Sequence, residues 1–361
     1  MKELIKMNKG EWSEAYTFLK LLADGRIYAA DKKLNRIESI YYPLIKIISD
    51  EKSGQVEYIR NDNVRVVDSN TGKTLIEISI EELALASNNL LEIIKKGKGT
   101  FGNEEIENFL KKIEHKKLKS KSKIKKDITI VIHDIFTGFE PELGFSIKSK
   151  LGNPSTLFNA SGSTNFIYKI ISNNINEEFI SKINNIDGTR KIIKRVQNIV
   201  KSNVKLKYIR TLNEIFLCNL QIIDSNLPEI LSYLLVYCYK FNTSKLTDLL
   251  EIIKRENPLK YNLEINENFY KYKIMKFLLD VALGMRPTDI WSGKFDATGG
   301  YILVKETGEI LCYHIYNINE FQEYLIENTR LETPSSRNNF GVVYKQNEEY
   351  FFNLNLQIRF I

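Results

Sequence analysis

The sequence has few of the residues on which disulfide frameworks and zinc sites depend. It contains 3 cysteines and 3 histidines in 361 residues. Cys218, Cys238 and Cys312 form no CxxC pair, and an odd number cannot all pair within one chain, so we expect reduced core cysteines. The histidines, at positions 115, 133 and 314, lack the spacing of zinc ligands. These shortages argue against a disulfide scaffold, a zinc enzyme and a histidine-based nuclease.

Long apolar runs are also missing. The longest covers residues 230–239 and falls short of the roughly 20 residues that a membrane-spanning helix needs, so no membrane partner is expected. The N-terminal residues lack the apolar region and cleavage site of a secretory signal. We therefore expect a cytoplasmic protein, and a chain of this length can bury a large core in one or two domains.

The positive charge of the chain is concentrated in one place. The formal net charge is +7, and residues 111–126 alone hold nine lysines and one glutamate. Such a tract is most often a solvated linker. Because it ends against Asp127, the alternative is that it contacts a polyanion beside a carboxylate site.

Apolar periodicity predicts an α+β protein with five segments. These are an N-terminal α+β lobe that contributes a helix to the catalytic core (1–100), a basic linker (101–126), a catalytic hairpin with a DNA-contacting segment (127–175), a helical region (176–290) and a β-rich region with DNA-contacting loops (291–361). The first predicted helix covers residues 10–23 and stops at Asp24-Gly25. Glu14 flanks its apolar face, so this acid either points into a site or only complements the helix dipole.

Residues 127–149 predict a β-hairpin that brings an acid close to a lysine. Its first strand starts at Asp127, and Lys148 ends the Ser-Ile-Lys sequence of the second strand. Side chains two residues apart share a strand face, so Ser146 and Lys148 point the same way. A hairpin that is symmetric about its loop places Thr129 opposite Lys148, with Asp127 diagonally beside the lysine. Asp134 would then lie about 16 Å from that lysine, so Asp127 is the predicted site acid.

Metal-dependent phosphodiester hydrolysis would use such a pattern. Asp127 and the carbonyl of Ile147 are hard oxygen ligands of the kind that Mg²⁺ prefers. Lys148 could orient or deprotonate the attacking water, or stabilise charge on the phosphate. A second carboxylate is needed, and Glu14 and Glu142 are the alternatives. Without this chemistry, the same residues would form an ordinary polar surface hairpin.

A dense polar segment follows the hairpin. We predict that Asn153-Pro154 begins a helix whose free N–H groups hold a phosphate. Arg330 and Arg337 in the polar C-terminal segment are predicted to read guanines. The residues expected to contact DNA beside the hairpin are Lys150, Asn153, Ser155, Thr156, Asn159 and Asn165.

Several stretches of the chain resemble the HpaII family of type II restriction endonucleases. They are GEWSEAYTFLKLLADGRIYAAD (10–31), KKDITIVIHD (125–134), LGFSIKSKLGNPSTLFNASGSTNF (143–166) and YLIENTRLETPSSR (324–337). The resemblance implies a PD-(D/E)xK nuclease core, in which helices flank a central mixed sheet, with extra helical and β elements. It also implies Mg²⁺-dependent cleavage of both DNA strands at 5′-CCGG-3′.

The resemblance assigns roles by position. Asp127 matches the first acid of the motif, and Ser146, Ile147 and Lys148 match its (D/E)xK element. The PD-(D/E)xK motif has its second acid at the position of Ser146. The serine here strengthens the case for Glu14 as the missing carboxylate.

A palindromic target would bring further partners. Double-stranded DNA is the expected substrate, and two-fold symmetric cutting calls for a homodimer or two successive nicks. A cognate cytosine methyltransferase is expected in the same system. The alternatives are a repair or structure-specific nuclease of the same fold, and a DNA-binding protein without catalysis, for which Ser146 is the best support.

Overall fold

A computed structural model describes residues 4–51, 54–116, 125–135, 137–172, 175–202, 204–334 and 340–361. Its helices are α1 (Lys9–Asp24), α2 (Ile80–Lys96), α3 (Glu104–Lys112), α4 (Glu177–Asn184), α5 (Lys191–Lys201), α6 (Glu214–Ile223), α7 (Leu227–Phe241), α8 (Leu246–Glu256), α9 (Phe269–Leu283) and α10 (Ile318–Glu327). Its strands are β1 (Met7–Asn8), β2 (Arg26–Ala30), β3 (Arg36–Glu51), β4 (Gly54–Arg60), β5 (Val64–Asp68), β6 (Thr74–Ile78), β7 (Thr100–Phe101), β8 (Ile128–Ile132), β9 (Glu142–Ser149), β10 (Thr156–Phe158), β11 (Asn165–Ile171), β12 (Lys205–Thr211), β13 (Gly300–Val304), β14 (Ile310–His314), β15 (Thr329–Leu331), β16 (Val343–Gln346), β17 (Glu349–Asn355) and β18 (Ile358–Phe360). This mixture confirms the predicted α+β class. Within the described ranges, none of the helices is both long and apolar enough to cross a bilayer.

The chain forms two compact units that interleave along the sequence. Unit 1 contains Met1–Ser155, Ala282–Gly284 and Phe295–Tyr324. Unit 2 contains Thr156–Val281, Met285–Lys294 and Leu325–Ile361. The predicted hairpin and the first helix therefore share a unit, whereas the polar segment that follows the hairpin is divided between the two.

Unit 1 is built on a mixed nine-stranded sheet with the order β2-β14-β13-β9-β8-β3-β4-β5-β6. Strand β9 pairs in parallel with β13 and antiparallel with β8. Every residue of β13 and of β14 is buried, as expected for strands covered on both faces. The long strand β3 pairs with β2 through its first half and with β8 through its second half. Because β2 pairs with both β3 and β14, the strands β2, β14, β13, β9, β8 and β3 form a closed ring.

Helix α1 packs on this sheet through a continuous apolar face. Trp12, Phe18 and Leu19 belong to the core cluster of unit 1. The helix starts in a capping box: the Asn8 side chain accepts from the Glu11 N–H at 3.0 Å, and Glu11 accepts from the Asn8 N–H at 2.8 Å. It ends at Asp24 with Gly25 as its C-cap, at the predicted stop, and both ends of the helix agree with the predicted range of 10–23 to within a residue.

Unit 2 combines two antiparallel sheets with helices. One sheet has the order β10-β18-β15 and the other the order β12-β11-β17-β16. The outer strand β10 occupies the place of the helix predicted to begin at Asn153-Pro154, so that prediction was wrong. Leu157 and Phe158 are buried side chains of this strand. The φ value that Pro154 fixes is compatible with both a helix and an extended chain. The burial of Leu157 and Phe158 favours the extended strand over the helix.

Gly300 provides a test of how tightly β13 and β14 approach. It has φ +108°, and a Cβ placed on it would lie 2.1 Å from the carbonyl oxygen of Tyr313. We expect Gly300→Ala to lower the free energy of unfolding by roughly 2 kcal/mol or more, because a backbone atom cannot give way. Gly72→Ala is the control, since Gly72 also has positive φ, +68°, but no neighbour within 4 Å of such a Cβ. Urea denaturation measures both variants, and equal losses would contradict the close approach.

Candidate active site

The start of β8 places Asp127 beside β9. Ile128 lies opposite Phe145 and Thr129 opposite Gly144, and the Asp127 N–H donates to the Phe145 carbonyl at 2.8 Å. Asp127 therefore lies across from Ser146. The predicted register, with Thr129 opposite Lys148, was wrong by four residues. An even shift keeps the same face, so Asp127 still meets the Ser-Ile-Lys sequence.

The register differs because the far end of β8 pairs elsewhere. Ile132 lies opposite Leu44 of β3, and the His133 N–H donates to the carbonyl of Pro43 at 2.8 Å. Asp134 then closes a turn of its own, since its carboxylate accepts from the Thr137 hydroxyl at 2.8 Å. The connection to β9 is consequently longer than a symmetric hairpin would have. Asp134 is buried in this turn, away from Lys148, as predicted.

Asp127 is fixed by hydrogen bonds to two consecutive residues of β9. Its Oδ2 accepts from the Ile147 N–H at 2.7 Å and from the Ser146 hydroxyl at 3.1 Å. The Ser146 oxygen in turn accepts from Lys148 Nζ at 2.9 Å. Ser146 is 1% exposed. It therefore acts as a buried link between the acid and the lysine, a role that the sequence did not indicate.

Lys148 sits in an environment that disfavours its charge. Burial lowers the pKa of Lys148 below its ordinary value of 10.5, while the negative charges of Asp127 and Glu14 act in the opposite direction without cancelling this effect. Its Nζ also lies 5.1 Å from the centroid of the Tyr301 ring, within the range of a cation–π contact. Burial therefore disfavours the charged form of Lys148, while Asp127, Glu14 and the Tyr301 ring favour it.

Glu14 reaches the same place from α1. Together with Ile147 and Lys148 it lines a groove of about 730 Å³ in unit 1, which Asn153 and Ser155 also border. Glu142, the alternative second acid, lies at the opposite end of β9, across from Val131. It is about 13 Å along the strand from Ser146. The structure therefore brings Glu14, and not Glu142, to Lys148.

The donor atoms here fit a hard cation. In a strand, the N–H and C=O of one residue point to the same edge, so the Ile147 carbonyl points to the edge where Asp127 lies. Within the described ranges, the hydrogen bonds that the Asp127 carboxylate accepts all use Oδ2, so Oδ1 remains available as a ligand. Across the same ranges, no cluster of three or more His, Cys, Asp or Glu residues could hold a metal ion. A cation here would rely on Asp127, a main-chain oxygen, Glu14 and water, which suits Mg²⁺.

The residues predicted to contact DNA fall into several environments. Asn153 and Asn159 are exposed, and Lys150, Ser155, Thr156 and Arg330 are half-buried. Asn165 is buried, and its side-chain oxygen accepts from the Asn355 amide at 2.7 Å, so its side chain is used inside unit 2. Arg337 and residues 117–124 of the lysine tract lie outside the described residues.

Comparison with known proteins identifies the family of the chain. The model of a family described as HpaII restriction endonuclease matches residues 8–360. The chain is also 45% identical over 367 aligned positions to the type II restriction enzyme HpaII of Haemophilus parainfluenzae, and the alignment covers 100% of both chains. The chain belongs to the HpaII restriction endonuclease family. This confirms the family and the enzyme class, a type II site-specific deoxyribonuclease, that the sequence predicted. No solved structure matches the chain.

One residue of this HpaII-family site escaped the sequence. Tyr301 lies opposite Ser146 in the parallel pairing of β13 with β9, and it is 1% exposed. Its position under Lys148 depends on a strand about 150 residues further along the chain. The sequence predicted only that residues 291–361 are rich in β-strands, which does not say where those strands dock.

Ser146→Ala tests the buried link. We expect DNA cleavage to slow by roughly 10- to 100-fold, because the variant removes the acceptor of Lys148 and one donor to Asp127. Ser87→Ala is the matched control: Ser87 is also 1% exposed, and it donates one hydrogen bond, to the Ala84 carbonyl at 2.9 Å, away from the groove. The single-turnover cleavage rates of the two variants are compared. Equal rates would contradict the role of Ser146 as the link between Asp127 and Lys148.

Proposed function

We propose that this protein cuts both strands of DNA at 5′-CCGG-3′ in a Mg²⁺-dependent reaction, on a PD-(D/E)xK core. The observation that carries the proposal is that Asp127 and Glu14, from two separate elements, both lie close enough to Lys148 to act on its charge, and that Glu14 and Lys148 line one groove. The pairing of β9 with antiparallel β8 and parallel β13 supports a core of this kind, because it places an acid at a strand start beside the (D/E)xK position. The target sequence follows from the family resemblance.

The metal would be held by Asp127, the Ile147 carbonyl and Glu14. When bound, Mg²⁺ supplies a Lewis acid for the phosphate and for the attacking water. Ser146 would not bind the metal, since its hydroxyl already forms hydrogen bonds with Asp127 and Lys148. Asp127 would then have two roles, since its Oδ2 accepts the hydrogen bonds from β9 and its Oδ1 would bind the metal.

Lys148 acts on the attacking water. Its lowered pKa increases the share of neutral amine at a given pH, and a neutral amine can accept a proton. After it has gained that proton, its positive charge would stabilise the negative charge that develops on the phosphate. The Tyr301 ring face favours the charged product of this transfer.

The reaction requires two-fold symmetric action on a palindrome. We propose that a homodimer or two successive nicks deliver it. A cognate cytosine methyltransferase would protect the host DNA, and both proteins would act in the cytoplasm.

The second candidate function is DNA binding without catalysis. The observation in its favour is Ser146, a neutral residue at the position of the second acid, together with the lack of a three-acid cluster in the described ranges. Such a protein would retard a CCGG duplex in gels and would not cleave it at any Mg²⁺ concentration.

Digestion of a sequenced plasmid separates these functions. We expect Mg²⁺-dependent fragments whose sequenced ends all map to CCGG, and no cutting of plasmid methylated at these sites. Random ends would indicate a repair or structure-specific nuclease instead, and intact plasmid with retained binding would support the second candidate.

Catalytic variants test the assignment of residues. Asp127→Asn and Lys148→Ala should each slow cleavage by at least about 10²-fold while CCGG binding stays measurable. Lys20→Ala is the matched control, because Lys20 is a half-buried lysine of unit 1 that pairs with Asp24 at 2.7 Å and does not line the groove. Cleavage by Lys148→Ala at the control rate would exclude Lys148.

The pKa of Lys148 can be measured without activity. We expect the ¹³Cε resonance of Lys148, assigned by its loss in Lys148→Met, to titrate below 10.5 because burial disfavours the ammonium form. Glu14→Gln should move the midpoint lower still, since it removes a negative charge that favours protonation. A midpoint at or above the ordinary value, or an upward move in Glu14→Gln, would contradict this environment.

A further inference from the structure

The outer face of the β10-β18-β15 sheet of unit 2 carries a row of cations. Arg330 lies directly opposite Arg359, and Thr156 lies opposite Arg359 on its other side. Lys245 forms an isolated bridge with Arg330 and has an extended backbone. Directly opposite residues of antiparallel strands point to the same side. Thr156, Arg359, Arg330 and Lys245 therefore form one row across the sheet, which we call the arginine row.

The other face of this sheet is the interior of unit 2. Thr329 lies opposite Phe360 and Leu331 opposite Ile358, and all four are buried. The alternation along β15 and β18 thus turns the arginines outward. Both arginines are half-buried, and Lys245 is exposed. A ligand could reach the row from outside.

The arginine row is short of negative charge. Its acid is Glu332, whose Oε2 lies 3.0 Å from Arg330 Nη2. Within the part of the chain that the structure describes, Arg359 has no ion pair, and the Nε atoms of both arginines are buried without a hydrogen-bond partner. Like charges directly opposite each other destabilise a sheet, and an unpaired buried donor adds to that cost. A bound anion would remove both costs.

The spacing of the row favours a polyanion over a small anion. Adjacent antiparallel residues lie about 5 Å apart, so the three cations span about 10 Å. One DNA strand carries a phosphate at every nucleotide, about every 3.4 Å along the helix axis, so a row of this length can contact more than one phosphate of the strand. Arginine, lysine and threonine side chains are all common phosphate ligands.

We propose that the arginine row binds the phosphates of one DNA strand and positions the duplex without reading its bases. The proposal rests on the proposed function, since it assumes a DNA substrate. It adds Arg359 and Lys245, which the sequence did not single out, and it gives Arg330 a backbone contact in place of the guanine contact predicted above.

The test compares two duplexes over a range of salt concentrations without Mg²⁺. Arg359→Gln and Lys245→Ala should each weaken binding of a CCGG duplex and of an unrelated duplex by a similar factor, roughly three- to tenfold. Each should lower the slope of log K against log salt by about 0.9. Arg65→Gln is the control, because Arg65 is an exposed strand arginine that lies opposite Glu77, in unit 1.

Other outcomes overturn the proposal in distinct ways. Loss confined to the CCGG duplex would make the row a base reader, and unchanged binding in both variants of a CCGG-cutting enzyme would overturn the row alone. Failure of the wild type to bind or cut DNA would overturn the proposed function as well. Thermal unfolding without DNA checks folding, and Arg359→Gln should be at least as stable as wild type because it relieves the repulsion.

Discussion

The site depends on the pair of hydrogen bonds that Asp127 Oδ2 accepts from β9, from the Ile147 N–H at 2.7 Å and the Ser146 hydroxyl at 3.1 Å. They hold the beginning of β8 against the middle of the sheet, at the point where regular pairing of the two strands has ended. Both bonds use the same carboxylate oxygen, so Oδ1 takes no part in them. Without them, neither the acid nor Lys148, which reaches Asp127 through Ser146, would have a fixed place.

Because Ser146 is neutral, the second negative charge of the site must come from Glu14 on α1. Ser146 orders Asp127 and Lys148 but brings no charge, so a hard cation would need Glu14. The position of that acid is set by packing: Trp12 is fully buried, its Nε1 donates to the Phe101 carbonyl at 2.9 Å, and the Ser13 hydroxyl meets that of Ser149 at 2.8 Å. Helix α1 is therefore joined directly to β9 through Ser13, which immediately precedes Glu14, the acid that would bind the metal.

The sequence was sufficient wherever local patterns decide the outcome. Apolar periodicity and capping residues located α1, and alternation placed Ser146 and Lys148 on one face. It failed where distant parts of the chain decide. The hairpin register depends on the pairing of Ile132 with β3, the strand at residues 156–158 depends on its pairing with β18, and Tyr301 arrives from a strand that docks in parallel. Asn165 was predicted to contact DNA, but it is buried, and its burial depends on tertiary packing that the sequence does not show.

The most direct test of a site assembled from β8, β9 and α1 is the Mg²⁺ concentration at which cleavage of a CCGG duplex is half-maximal. Glu14→Gln should raise this concentration by at least about tenfold, the loss expected when one charged ligand of a hard cation is removed. Glu11→Gln, a change one turn earlier on the same helix at a capping position, should leave it as in wild type. Equal Mg²⁺ requirements for the two variants would contradict the account.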